Sequence, residues 1–93
     1  MNIYEVTFIL RPEDEFLAAG KEFLKELFSK ENCKVLKEED MGSRQLAYDI
    51  KKNDRGHYLF FELEAEPDSI SSLDKSLKLR SEILKYLFLR KEE

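Results

Sequence analysis

The residues able to do chemistry are few and scattered. His57 is the only histidine and Cys33 the only cysteine in a chain of 93 residues. One thiol cannot close an internal disulfide, and one Cys with one His falls well short of the about four ligands that a structural zinc site takes. A histidine-assisted nucleophile would have to use His57, whose place at the start of a strand suits half-exposed packing better. Carboxylates come in runs, Glu13-Asp14-Glu15 and Glu38-Glu39-Asp40. Neighbours within a run diverge, so neither run makes a facing acid/base pair. With Gly20, Gly42 and Gly56 as the only glycines, neither a phosphate loop nor a dinucleotide fingerprint can be written. The expectation is a protein without catalytic residues, metal or cofactor.

What remains is a set of cations and aromatic rings. Arg44 precedes an alternating segment, Lys51, Lys52 and Arg55 surround a turn, and Lys78, Arg80 and Lys85 flank the junction between a helix and the last strand. As phosphate contacts they would count mainly as a group. The plainer reading is a solvated turn and a helix C-terminus that favours cations. Net charge is −4, which alone argues against nonspecific nucleic-acid binding. The charge is uneven: −3 over residues 1–32, +1 over 33–56 and −2 over 57–93. A phosphate backbone would be repelled least by the middle third.

The length suits one domain spanning residues 1–93. Hydrophobic residues at 42% and charged residues at 39% exclude collagen, low-complexity disorder and a disulfide scaffold. No apolar run approaches the roughly 18 residues of a membrane helix, and the opening Met1-Asn2-Ile3-Tyr4-Glu5 is not a signal peptide. A soluble intracellular protein is expected.

Periodicity supplies the elements. Ile3–Leu10 alternates, with Tyr4, Val6, Phe8 and Leu10 on one face, and Arg11-Pro12 ends it. Glu13–Glu31 has helical spacing through Phe16, Leu17, Phe23, Leu24, Leu27 and Phe28, with Gly20 expected at a close approach to a sheet. Residues 34–51 form a second strand with an irregular centre around Glu38–Gly42, and Lys51–Gly56 has the composition of a hairpin turn. His57–Ala65 is a third strand, pointing Leu59, Phe61, Leu63 and Ala65 one way and Tyr58, Phe60, Glu62 and Glu64 the other. A second helix begins at Pro67-Asp68-Ser69, with Asp68 as its cap and Ile70, Leu73 and Leu77 as its buried stripe. Ile83–Arg90 is the last strand.

The order β-α-β-β-α-β predicts an α+β, ferredoxin-like sandwich: four antiparallel strands in order 2-3-1-4 with two helices on one face. The inward stripes of the central strands would be covered by Phe16, Phe23, Leu27, Leu73 and Leu77. The other face stays open, carrying Tyr58 and Phe60. Aromatic rings there can stack bases, but Glu5, Glu62 and Glu64 on the same face would repel phosphate, so a protein partner fits it better. An acylphosphatase-like enzyme shares this topology, yet Arg11-Pro12 followed by acidic residues makes a poor anion cradle.

Three stretches carry a family resemblance: Tyr4-Glu5-Val6 with Leu10 and Pro12, then Arg44-Gln45-Leu46-Ala47-Tyr48-Asp49-Ile50-Lys51, then Gly56-His57-Tyr58. In order and spacing, from Tyr4 to Leu89, the chain resembles the bacterial small-subunit ribosomal protein S six family. The resemblance implies the same fold, no enzymatic activity, and a structural role on the ribosome. It also implies pairing with ribosomal protein S eighteen and joint binding to the central domain of 16S ribosomal RNA. Departures are Asn2, Ile3 and Gln45 where many members are basic, and Asp49 where proline is common. RNA contacts are expected at Arg44, Lys51, Lys52, Lys78 and Arg80, and partner contacts at Tyr4, Tyr48, Tyr58 and Phe60. The isolated chain is expected to be a monomer. The alternative is a ferredoxin-like homodimer that binds a small regulatory ligand at a shared edge.

Overall fold

Alternation along the strands sorts side chains between a covered and an uncovered sheet face. In the computed structural model, which describes residues 2–91, the elements are β1 (Asn2–Leu10), α1 (Asp14–Lys30), β2 (Lys34–Ile50), β3 (Asn53–Ala65), α2 (Pro67–Leu77) and β4 (Ile83–Arg90). The strands form one sheet in the order β2-β3-β1-β4, and every adjacent pair is antiparallel. This is the ferredoxin-like arrangement that the periodicities predict.

Tyr4, Val6, Phe8 and Leu10 of β1 and Leu59, Phe61, Leu63 and Ala65 of β3 are buried in one cluster with Leu24, Leu27, Phe28, Leu73 and Leu77 of the helices. Phe8, Phe28 and Phe61 meet at its centre, with centroids 5.1–6.2 Å apart and the tightest pair, Phe28–Phe61, edge-to-face. That is the geometry the ring quadrupoles favour. The covering stripe of α1 differs from the expected one. Gly20, Leu24, Leu27 and Phe28 point inward, while Phe23 is only partly buried and Phe16 lies at the margin beneath the Arg11 guanidinium, 4.0 Å from its ring centroid. Gly20 does mark a close approach, because a Cβ there would come within 2.7 Å of Leu10 Cδ2. Asn32, at φ 57, ends α1 and lets Cys33 N–H donate to Phe28 O at 2.9 Å, the kind of left-handed stop that Asn tolerates.

Three sequence expectations are corrected in detail. The irregular centre of β2 is present as a bulge between Asp40 and Gly42, but it does not interrupt the strand, which runs through its acidic stretch from Lys34 to Ile50. Gly42 takes φ 81, and its N–H donates to Asp40 Oδ1 at 2.9 Å. The hairpin turn is only Lys51-Lys52, since Ile50 pairs with Asn53; a register shift spanning Leu46–Asp49 of β2 then precedes the pairs Gln45–Arg55 and Arg44–Gly56. Both lysines have positive φ, 49 and 67, the backbone that a two-residue turn needs to match strand twist. Asp68 lies in the first turn of α2 and is not its cap. The helix starts at Pro67, behind Glu66 in an extended conformation, because proline's fixed φ suits the first helical position.

Candidate nucleic-acid interface

The register of the sheet orders the open face into rows. Tyr58 of β3 lies opposite Ile9 of β1, which lies opposite Lys85 of β4; on the other side Tyr58 faces Gly42 of β2. The next row runs Phe60, Thr7, Leu87, and the one after it Glu62, Glu5, Leu89. The face therefore changes character along the strands. Cations and tyrosines occupy the end nearest the hairpin, and carboxylates with exposed leucines occupy the other.

At the hairpin end, Gly56 makes room for side chains that β2 and β1 bring over β3. A Cβ at Gly56 would collide with the Ile9 side chain and touch Leu46 Cδ2 at 3.4 Å. Because that space is open, Leu46 is buried on a face that no helix covers. Beside it, Lys85 Nζ donates to the Tyr48 hydroxyl at 3.0 Å and sits 5.7 Å from the Tyr48 ring centroid. The hydrogen bond to Tyr48 raises the Lys85 pKa above its ordinary value, with Tyr58 adding a smaller contribution of the same sign, so the ammonium stays charged. The Arg44 guanidinium lies 5.8 Å from the Tyr58 ring centroid, within cation–π range. Between the two tyrosines is a shallow pocket of about 160 Å³, lined by Ile9, Leu46, Tyr48, Ile50, Tyr58 and Lys85 among others.

The expected contact residues divide sharply. Arg44, Tyr48 and Tyr58 come together on the open face, and Phe60 is in the adjoining row. Lys52 is exposed at the hairpin tip, while Lys51 turns back and donates through Nζ to Ile83 O at 3.3 Å, tying the tip to β4. Lys78 and Arg80 belong to the helix layer. Lys78 Nζ pairs with Asp74 Oδ2 at 3.1 Å, one turn earlier on α2. Arg80 Nε pairs with Glu82 Oε2 at 2.8 Å and its guanidinium lies 4.2 Å from the Phe23 ring centroid. Both charges are thus compensated within the chain. Among the described residues, Arg44 and Lys85 form no ion pair with a carboxylate.

Tyr4 is a correction. It is on the helix-covered face, 8% exposed in the core, because it shares the parity of Val6 and Phe8. A ring buried there has no surface to offer a partner.

Sequence reasoning missed two features. Leu87 and Leu89 are each 56% exposed on the open face, a consequence of β4 being an edge strand with one face uncovered; their alternation with Tyr86 and Phe88 carried that signal. Asp40 is also more than solvated surface. Its carboxylate accepts from Lys21 Nζ at 2.9 Å, lies 2.6 Å from His57 Nε2, and accepts from Gly42 N–H. The Lys21 hydrogen bond above all, with those from Gly42 and His57, brings its pKa down to about 2, outweighing an opposing cost of burial that is second in size to the Lys21 bond. No sequence motif marks this cluster, because the bulge in β2 creates it.

Among the described residues no three His, Cys, Asp or Glu side chains gather where they could hold a metal ion, and no helix is long and apolar enough to cross a membrane.

The sequence profile of the family described as Ribosomal protein S6 matches residues 3–90. Small ribosomal subunit protein bS6 of Treponema denticola is 36% identical over 93 residues, the whole of both chains. The protein of the same name from Sulfurovum sp. is 35% identical over 92 residues, covering 97% of this chain and 72% of that one. Among solved structures, the crystal structure of 30S ribosomal protein S6 from Thermotoga maritima superposes with a TM-score of 0.87 at 28% identity, over 97% of this chain and 87% of that one.

Proposed function

The chain belongs to the ribosomal protein S6 family, a family of cytoplasmic small-subunit proteins and not of enzymes, and on that footing we propose that it binds the central domain of 16S ribosomal RNA together with ribosomal protein S eighteen. Its role in the small subunit is structural. The observation that carries the RNA half of this reading is the hairpin end of the open face, where Arg44 and Lys85 lie against tyrosine rings without a carboxylate partner among the described residues. Such cations are free to contact phosphate, and Lys52 at the adjacent tip adds a third.

The partner takes the remainder of the face. Phe60 and the exposed Leu87 flank Thr7 in one row and the exposed Leu89 ends the next, a strip with no helix over it, and exposed apolar surface of this kind marks protein contacts. A net charge of −4 is compatible with RNA binding when the partner contributes most of the positive charge. Burying the strip against the partner would orient one composite basic surface, which holds a folded RNA junction through backbone and shape more than base edges. Alone, the chain is a monomer.

The test is assembly. Tagged protein mixed with small subunits stripped of the endogenous homologue should sediment with them in about one copy per particle. A chain left in the supernatant at every salt concentration would overturn the reading.

A further inference from the structure

Resting on that RNA-binding role, we propose that the pocket between Tyr48 and Tyr58 receives one unstacked nucleotide of the RNA, its base against the tyrosine rings and its phosphate between Arg44 and Lys85. Four features of the hairpin end point to this occupant. Its volume, about 160 Å³, is below the roughly 300–1,000 Å³ of sites that enclose a whole small molecule, so it suits a single ring with the rest of the ligand outside. Its lining combines aromatic rings with the aliphatic side chains of Ile9, Leu46 and Ile50, a sequence-tolerant surface for the face of a base. Its charge is complementary to phosphate. Lys85 lines the pocket, anchored to the Tyr48 hydroxyl, and Arg44 lies against the Tyr58 ring that forms one of its walls; neither is neutralised by a carboxylate among the described residues. Finally, Gly56 opens the space that lets Ile9 and Leu46 form the pocket floor. An unmodified protein side chain offers either an aromatic ring or an anionic group, whereas a nucleotide joins a ring to a phosphate charge.

The experiment uses the full chain with ribosomal protein S eighteen and a 16S central-domain fragment, comparing wild type with Tyr48→Leu, Tyr48→Phe and Lys85→Gln. Tyr48 is 62% exposed, so these changes leave the core intact. Tyr48→Leu should weaken RNA binding about ten-fold and Tyr48→Phe much less, because the ring is kept. RNA carrying 4-thiouridine should crosslink to the peptides containing Tyr48 or Tyr58. Wild-type affinity in Tyr48→Leu and Lys85→Gln, with crosslinks elsewhere, would refute the pocket assignment while leaving the RNA-binding reading in place. Weakened association with the partner protein before RNA is added would refute it too, making the pocket a protein contact. Failure of the wild-type pair to bind RNA at all would instead sink the parent reading.

Discussion

Arg44 and Lys78 carry the same charge in different surroundings, and the difference decides what each can do. Arg44 lies over a ring on an uncovered face; Lys78 is held by Asp74 on its own helix. A cation already paired gives up its carboxylate when it binds phosphate, so its net gain is small. Arg44→Ala should therefore weaken RNA binding and flatten its log–log salt dependence by about one unit, as loss of one phosphate contact requires. Lys78→Ala should leave the slope unchanged, and equal slopes for the two variants would contradict the division of cations drawn from the structure. Asp40 supports a second prediction. Its pKa is lowered from 3.8 to about 2, first by Lys21 and then by Gly42 and His57. A depressed carboxylate stabilises the fold fully above its unfolded value, and that contribution disappears as pH falls from about 4 through about 2. Urea midpoints measured over this range should show wild type losing its advantage over Asp40→Asn as the acid end is approached. A constant difference would mean that the carboxylate charge is not what ties β2 to α1.

At the scale of the element, the β2–β3 hairpin is built from residues its turn does not prefer. Two consecutive non-glycine residues at positive φ cost roughly 1–2 kcal/mol each, and sequences chosen for stability place Asn or Gly there. Lys52→Gly should remove most of one such cost, offset by roughly 0.4–1 kcal/mol of added unfolded-chain entropy. The expected outcome is a gain of about 0.5 kcal/mol in unfolding free energy, with weaker RNA binding. A variant less stable than wild type would contradict the turn geometry. The same hairpin shows where the sequence is legible and where it is not. Alternation in Ile3–Leu10 and His57–Ala65 and the helical spacing of Leu24, Leu27 and Phe28 reveal the strands, one helix face and the sheet order, because burial imposes those periods directly. The turn is shorter than the composition of Lys51–Gly56 predicts, because Lys51-Lys52 lacks the Asn-Gly signal that marks a two-residue turn. Gly56 proves to serve the close contact with Ile9 and Leu46 instead. The β2 bulge, the Asp40 cluster and the stacking of Arg80 on Phe23 depend on which elements meet. No local pattern encodes them.

Over the whole molecule, an acidic protein of pI about 5.1 places Arg44 and Lys85, neither paired with a carboxylate among the described residues, against tyrosine rings at one end of one sheet face. The opposite end carries Glu5, Glu62 and two exposed leucines. This separation suits a protein that contacts RNA only as half of a pair, since its own field does little to attract a polyanion from a distance. The Arg44–Tyr58 and Lys85–Tyr48 contacts and the strip of Phe60, Leu87 and Leu89 lie on one rigid sheet, so docking a partner on the strip fixes where the cations point. The most direct measurement is therefore the affinity for a fluorescent fragment of the 16S central domain, with and without ribosomal protein S eighteen, across a salt series. Tight binding only with both proteins, falling steeply as salt rises, is the predicted result. Equal affinity with and without the partner, or no binding in either case with both proteins folded, would contradict it.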